Sequence, residues 1–340
     1  MNAADLVHKR TATEKRRVLD LLWRALDDAF LPYINEGICL AISGGADSRA
    51  LLELVARWPG RHSGTISVVS VDHGLRAESA DESAYIVARA QILAFQAQMQ
   101  KLPLSKKKDE SELRSLRYEL LWNAAASMGC QSLATAHHKN DNVEGQLLYW
   151  LGNGGSGHGA MTSMVSTGRG ALLRPFAAIE SSIVHLGLNA LGCSDYFLDP
   201  TNQSGGARAK VRNDLLPVLR SASGDIDERL FSLGRRSIFD RKIVDDIVEK
   251  HPLKNDGQSL SFDYTSLTVG LLSKVLLRGL RNLIPQGDLR MSYRVCEQIV
   301  NCIDPSTGSS TVKDGKERKF DFPGVRVYLS KNLISIVKAE

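Results

Sequence analysis

No apolar run in this sequence approaches the roughly 18 residues that cross a bilayer, so no segment is a candidate transmembrane helix. The stretch from Met1 to Asn35 mixes Arg17, Asp20, Arg24 and Asp27 with its leucines and reads as an amphipathic helical extension, not a signal peptide. Paired cysteines are missing too: Cys39, Cys130, Cys193, Cys296 and Cys302 are scattered, odd in number and include no CxxC. That pattern suggests no disulfide framework, zinc knuckle or iron–sulfur site, and reduced thiols in a cytoplasmic protein are expected. Internal repeats and low-complexity tracts are absent. What remains is an ordinary folded composition, 43% hydrophobic and 24% charged over 340 residues, enough for two domains. The formal charge of +5 suits a polyanionic partner, since cationic side chains that neutralise phosphates release counterions, but alone it does not specify one.

From Gly37 to Ala136, short apolar runs alternate with longer amphipathic ones, which is the pattern of a parallel sheet with crossover helices. Strands are expected at Ile38 to Ile42, Ile66 to Val71, Met99 to Leu102 and Ser132 to Ala136, with helices at Arg49 to Arg57, Ser79 to Phe95 and Glu110 to Met128. A helix at Asn142 to Leu151 then runs into the glycine-rich stretch Gly152 to Gly159, which reads as a loop. Its GxGxxG spacing is not taken as a dinucleotide fingerprint, because a helix precedes it instead of a strand. A helix at Ser181 to Leu191, an irregular stretch at Asp199 to Gly206 and a basic helix at Ala207 to Arg220 follow. Beyond residue 222 the sequence is mostly helical, at Asp225 to Glu249 and Ser266 to Leu283. Alternation in Val325, Val327, Leu329, Ile334 and Ile336 predicts a terminal β hairpin. The expected organisation is an N-terminal helical extension (1–35), an α/β catalytic domain (36–221) and a smaller helical domain with short terminal strands (222–340).

The first expected strand ends in Ser43-Gly44-Gly45-Ala46-Asp47-Ser48 and a helix follows. A glycine-rich turn between a buried strand and a helix can bind an anion, because backbone N–H groups converge there and the helix dipole adds positive charge. Gly44 and Gly45 allow the amides to turn inward, Ser43 and Ser48 supply hydroxyls, and Asp47 can cap the helix or accept a magnesium ion. A bland tight turn with a capped helix needs neither two glycines nor two serines together. No lysine follows the glycines, which excludes a Walker loop.

This hexapeptide carries the complete SGGxDS signature and resembles the PP-loop ATP pyrophosphatase superfamily. Further stretches resemble one family within it, the tRNA(Ile)-lysidine synthetases: Val71-Asp72-His73-Gly74-Leu75-Arg76, Leu113-Arg114-Ser115-Leu116-Arg117-Tyr118, Ala134-Thr135-Ala136-His137-His138-Lys139-Asn140-Asp141, Leu172-Leu173-Arg174-Pro175-Phe176, Asp199-Pro200-Thr201-Asn202 and Arg208 to Pro217. The order and spacing of these motifs are retained over about residues 37 to 217. The resemblance implies a parallel-sheet, adenine nucleotide alpha hydrolase-like domain that cleaves ATP to AMP and pyrophosphate with Mg2+. The implied acceptor is the wobble cytidine of the isoleucine tRNA bearing a CAU anticodon, and the implied nucleophile is free L-lysine. It further implies adenine beside Val71, Asp72, His73 and Arg76, and Arg114 on the ATP phosphates. Departures from the family pattern stand at Asn142, Gly145 and Ala209 and in the Asn153 to Gly157 loop.

His137, His138 and Asp141 are close enough in sequence for a metal reading, with His137 and Asp141 one helical turn apart. The expected reading is a phosphate-facing His137 with Asp141 as a magnesium ligand or base, since ligands of open α/β sheets gather at strand carboxyl ends. Structural hydrogen bonding and a transition metal are the alternatives. A lysine amine, of ordinary pKa about 10.4, must lose a proton before attacking; Asp141 is the first candidate base and Glu144 the second. Asp47 is expected on magnesium and the phosphates. Gly155 and Ser156 are expected near substrate, and Arg208 and Arg212 are weighed as RNA contacts against a solvated face. Arg117 has no assigned role, and the Lys106-Lys107-Lys108 run reads as solvated. No membrane association is expected, and a homodimer is left open. The rival functions are a thiolating tRNA enzyme on the same loop, a small-molecule amide ligase, and an RNA-binding module without catalysis.

Overall fold

The computed structural model describes residues 11–74, 78–103, 110–152, 161–197, 206–283, 289–304, 311–312 and 317–339. Arg76, Gly155, Ser156, the lysine run at 106–108 and the Asp199-Pro200-Thr201-Asn202 motif lie outside them.

Short, buried, largely apolar strands make the centre of a six-stranded sheet. Strand β1 (Ile38–Ala41) pairs in parallel with β2 (Ile66–Asp72) on one side and with β4 (Ser132–Ala134) on the other. Every residue of β2 is buried, as expected for a strand covered on both faces. The full order is β3-β2-β1-β4-β6-β5, with β3 at Gln96–Lys101, β5 at Met164–Thr167 and β6 at Gly170–Leu173. All neighbours are parallel except β5 and β6. Strand order therefore runs outward from β1 to β3 and then reverses to β4, a switch point at which ligands of doubly wound sheets bind.

Both outer elements differ from the sequence expectation for a physical reason. Strand β3 starts three residues before the expected Met99, because an edge strand tolerates the polar Gln96 and Gln98. The β5–β6 hairpin was not expected as strands; it turns through Gly168 and Arg169 into Gly170, whose φ of +141° and lack of a Cβ let its backbone pass Gln131 O. A Cβ at Gly170 would sit 1.9 Å from that oxygen.

Helices cover the sheet where amphipathic runs were expected: α1 (Ala12–Phe30), α2 (Ala46–Ala56), α3 (Ser79–Ile92), α4 (Glu110–Ser127), α5 (Lys139–Trp150) and α6 (Ser181–Ala190). Thr11 and Glu14 form a capping box that starts α1, which buries Leu22, Leu26 and Phe30 in the same core as Leu40 of β1 and Leu51 of α2. The expected basic helix is three pieces: α7 (Gly206–Lys210), a π-helical turn at Val211–Leu215, and α8 (Leu216–Ala222).

The chain separates into two compact units, Met1–Ser237 and Ile238–Glu340, with the division inside helix α9 (Ile226–Lys250). The second unit has its own core around Leu260, Leu276, Val295, Val327 and Ile336. The expected terminal hairpin is present as β12 (Val325–Leu329) and β13 (Leu333–Lys338). It is the centre of a five-stranded antiparallel sheet of order β11-β12-β13-β8-β7, with β7 at Lys254–Asn255, β8 at Ser259–Asp263 and β11 at Arg318–Phe322. Helices α10 (Val269–Leu283) and α11 (Leu289–Val300) contribute to that core; α11 was not expected from the sequence. A short antiparallel pair, β9 (Ile303–Asp304) and β10 (Thr311–Val312), completes the described elements. Among the described residues no helix is long and apolar enough to cross a membrane.

Behind α2 lies a buried ionic cluster. Glu53, fully buried, accepts from Arg57 Nη1 at 2.6 Å and Arg89 Nε at 2.8 Å, and Arg49 Nη2 lies 3.1 Å from it. Arg49 also reaches Asp195 Oδ2 at 3.0 Å, tying α2 to α3 and to the segment after α6. Burial opposes ionisation of Glu53, but the Arg89 and Arg57 hydrogen bonds outweigh it and hold its pKa below the ordinary carboxylate value. Replacing Glu53 with Gln removes the buried charge shared by Arg49, Arg57 and Arg89, leaving Arg49 only the exposed Asp195, and should cost about 3 kcal/mol in urea unfolding at pH 7. Because the folded-state pKa is lowered, this contribution is present above the unfolded value of about 4.3 and is lost as pH falls through the folded one. Wild type and variant should therefore converge in stability toward acid pH; a constant difference down to acid pH would contradict the account.

Candidate active site

At the switch point the chain leaves β1 through Ser43–Gly45 and enters α2. Gly44 takes a φ of +90°, a left-handed conformation that favours glycine. The Ser48 hydroxyl accepts from Ser43 N at 3.2 Å and Gly44 N at 3.0 Å and donates to Gly45 O at 2.9 Å. The Ser48 hydroxyl, expected to supply a donor for phosphate, shapes the loop through these bonds. The donors that face outward are the first-turn amides of α2, from Ala46 to Ser48, which by position have no intrahelical carbonyl to bond. They are candidate donors to an anion, with the positive end of α2 behind them. Phe197 backs the loop, its N–H donating to Gly44 O at 3.0 Å.

Asp47 stands in that first turn and accepts at one oxygen from two histidines. His185 Nε2 of α6 is 2.9 Å from Asp47 Oδ1, and His138 Nε2 is 3.5 Å from the same atom. Burial opposes ionisation of Asp47, but the hydrogen bonds from His138 and His185 more than offset it, and its pKa falls well below the usual carboxylate range. His185 was not singled out in the sequence, since a lone histidine on an amphipathic helix carries no motif.

The β4 carboxyl end supplies the second wall. His138 is the N-cap of α5, forming a capping box with Asp141: Asp141 Oδ2 accepts from His138 N at 2.9 Å, and His138 Nδ1 accepts from Asp141 N at 3.4 Å. Burial works against protonation of His138, yet its pKa is raised, through the Asp47 hydrogen bond and the Asp141 charge. Asp47 and Asp141 thus lie at opposite nitrogens of the His138 ring. An imidazole joins Asp47, expected on magnesium and the phosphates, to Asp141, expected as a magnesium ligand or base. Among the described residues no cluster of three or more His, Cys, Asp or Glu could hold a metal.

His137 pairs with Thr135 Oγ1 through Nδ1 at 2.8 Å. Burial lowers its pKa to about 4, with Arg174, Arg114 and Arg208 adding to the same direction. The Asp141 charge opposes this shift without cancelling it, so the neutral imidazole is favoured at physiological pH. Arg114 is exposed on α4 and packs its guanidinium 5.2 Å from the Tyr118 ring centroid, and Arg117 is 5.9 Å from the same ring. Arg174 is buried, donates to Thr162 O at 3.3 Å and leaves its Nε without a partner among the described residues. Sequence reading placed Arg174 in a motif without giving it a role.

The two carboxylates considered as bases are already paired. Arg212 grips Glu144 with Nε at 2.6 Å and Nη2 at 2.9 Å, and Arg208 Nη1 lies 3.6 Å from Asp141 Oδ1. Arg212 lies in the π-helical turn, a local widening frequent at functional sites. Both Glu144 oxygens lie in the Arg212 fork, so Glu144, expected as an alternate base, and Arg212, weighed as an RNA contact, are paired with each other. Asn142, a departure from the family pattern, is buried and donates to Met161 O at 3.1 Å and Ala177 O at 2.8 Å, so it anchors the segment after the glycine-rich loop. Asp72 ends β2 and accepts from Gly74 N at 2.8 Å and from the Ser79 hydroxyl, which shapes the β2–α3 turn; Val71 is buried beside it and His73 is partly exposed.

Residues 20–219 match the family model described as PP-loop domain. The chain is 28% identical over 335 residues to a tRNA(Ile)-lysidine synthase of Bradyrhizobium sp. (strain BTAi1), covering 91% of this chain and 92% of that one. It is 34% identical over 208 residues to a tRNA(Ile)-lysidine synthase of Salinispora tropica, covering 59% and 62%. Among solved structures, the U34-tRNA thiolase NcsA from Methanococcus maripaludis superposes with a TM-score of 0.54 at 14% identity, over 65% of this chain and 79% of that one, a likeness of fold.

Two outcomes test this geometry. Gly44→Ala combines a left-handed φ with a Cβ 2.6 Å from Phe197 Cδ2, so it should cost about 1–3 kcal/mol of stability and deform the anion site; an unchanged melting temperature would contradict the description. In an NMR pH titration the His137 ring resonance should move near pH 4 and stay flat from 5.5 to 8, while that of His138 moves above the ordinary histidine range near 6.5.

Proposed function

This chain belongs to the PP-loop domain family, and from that premise we propose that it carries out the reaction of tRNA(Ile)-lysidine synthases. The observation that carries the reading is the SGGADS loop at the sheet's switch point, inside a family match spanning residues 20–219 whose curated relatives bear that name.

ATP lies with its phosphates on the first-turn amides of α2. The C2 carbonyl oxygen of the wobble cytidine attacks the α-phosphate, and pyrophosphate leaves. The side-chain amine of L-lysine then attacks C2 and displaces AMP, giving the lysine adduct. Charge grows on the leaving pyrophosphate, and the α2 amides with Arg114 are suited to receive it. Neutral His137 donates or accepts a hydrogen bond there without adding charge, while Arg174 and Arg208 extend the cationic wall toward the nucleotide. Magnesium, when bound with ATP, would neutralise charge on the phosphates; the hard oxygens of Asp47 suit it, one carboxylate plus substrate phosphates being its usual ligand set.

The Asp141–Arg208 and Glu144–Arg212 pairs alternate charge along one face of α5 and suit a zwitterion, an arginine meeting the carboxylate and an acid the α-ammonium. Asp141 is the base for the attacking amine, through Oδ1, and Glu144 orients Arg212. The unit Ile238–Glu340, with its separate core, is assigned to gripping the tRNA body. Extruding the cytidine costs a few kcal/mol, less from a single-stranded loop.

Thiolation through a catalytic cysteine fits less well. Burial raises the Cys39 and Cys296 thiols to about 12 and raises those of Cys130 and Cys193, so none of the four is a ready thiolate at neutral pH.

Incubation with ATP, L-lysine and unmodified tRNA transcript bearing a CAU anticodon, followed by digestion and nucleoside mass spectrometry, should yield a lysine adduct on cytidine with release of AMP and pyrophosphate. ATP cleavage without the adduct would sink the lysine assignment. Asp47→Asn should slow adduct formation by about a hundredfold or more.

A further inference from the structure

His185 of α6 stands half-exposed at the rim of the candidate site. Helix α6 is seated by Val184, Gly187 and Leu188: the two aliphatic chains are buried, and Gly187 lies so close to α1 that a Cβ would be 2.2 Å from Leu22 Cδ1. That seating turns the intervening residue, His185, toward the start of α2, where its Nε2 meets Asp47 Oδ1 at 2.9 Å. Its side chain remains 45% exposed and that of Asp47 38%, so the pair borders the open site and not the core.

Its geometry differs from that of the second histidine on the same carboxylate. His138 is buried, has both ring nitrogens engaged and is 3.5 Å from Asp47 Oδ1, so it is a fixed wall. The His185 bond is the shorter one, it comes from an independent helix, and it falls on the same oxygen. Both bonds therefore fix one oxygen and leave Oδ2 as the atom of Asp47 turned away from the histidines. A carboxylate held at one oxygen cannot swing about its Cβ–Cγ bond without breaking that bond. Hydrogen-bonding partners of this kind set the orientation of groups that bind phosphate-bound cations.

We infer that His185 is a positioning residue for ATP: its Nε2–H holds Asp47 Oδ1 so that Oδ2 is presented to the nucleotide phosphates and their counter-cation. The inference rests on the assignment of ATP to the α2 loop and adds to it a determinant outside every motif of that loop. His185 acts through Asp47 and touches no substrate. Its loss should weaken nucleotide binding without altering the response to L-lysine.

The test is calorimetric titration of the full-length protein with a non-hydrolysable ATP analogue, with and without Mg2+, on wild type, His185→Ala and His185→Gln. Gln is included because its amide N–H can replace the imidazole donor. His185→Ala should bind the analogue about tenfold more weakly in Mg2+, the usual cost of removing such an orienting partner, and His185→Gln should recover most of the loss. In turnover assays, KM for ATP should rise in His185→Ala while KM for L-lysine and the melting temperature stay at wild-type values. Wild-type affinity in His185→Ala, a glutamine variant as weak as the alanine one, or equal increases in both KM values would each overturn the inference while leaving the ATP assignment in place. A wild-type protein that binds no analogue would overturn the ATP assignment and this inference together.

Discussion

The carboxylate of Asp47 is the point on which the site turns. It sits at the positive end of α2, where an anion is stabilised by the helix dipole, and it draws in His138 from the end of β4 and His185 from α6. Those three segments are distant in the chain and meet only because the strand order reverses between β1 and β4. One ionised group, hydrogen-bonded from two elements, thus closes the phosphate loop onto the wall that carries His137, His138 and Asp141. Without it, the β1 and β4 ends would still be neighbours, but the loop would lose its side-chain ties to His138 and His185.

The other polar groups follow the same economy of pairing. The Ser48 hydroxyl satisfies the Ser43 and Gly44 amides, which leaves the first-turn amides of α2 as the donors open to a phosphate. Asp141 spends one oxygen on capping α5 and turns the other to Arg208, and Glu144 is locked to Arg212. On the opposite side, His137 stays uncharged because burial and three arginines disfavour its protonation. The result is a surface with fixed positive charge, one neutral imidazole and few carboxylates free to repel a nucleotide. Behind it, the buried Glu53 with Arg49, Arg57 and Arg89 holds α2 and α3 in place without facing the site.

Legibility in the sequence followed the range of the interaction. The central strands and their crossover helices were readable because a strand buried on both faces is mostly apolar, as in Ile38–Ala41 and in Ile66, Val68, Val69 and Val71 of β2. Edge elements were not: Gln96 and Gln98 hid the start of β3, and the β5–β6 hairpin carries a weak alternation interrupted by Gly168 and Gly170. In the second unit the β12–β13 hairpin was visible by its alternation, but its pairing with β8 joins residues far apart, which no local period encodes. At the site, the SGGADS loop and the histidine pair announced themselves by residue type and spacing. The roles of Glu144, Arg208 and Arg212 did not, since an arginine looks the same in sequence whether it faces water, RNA or a buried acid.

The order of residues alone marked a candidate anion site, because two glycines, two serines and an aspartate between a buried strand and a helix can bind an anion through purely local backbone geometry. It settled the fold class for the same reason, through the alternation of apolar runs. The direction in which Asp47 points, the neutrality of His137 and the pairing of Glu144 with Arg212 arose only when the sheet brought β1, β4, α6 and the π-helical turn together. Hydrogen bonds and pKa shifts depend on distances between groups, and those distances exist only once the chain has folded.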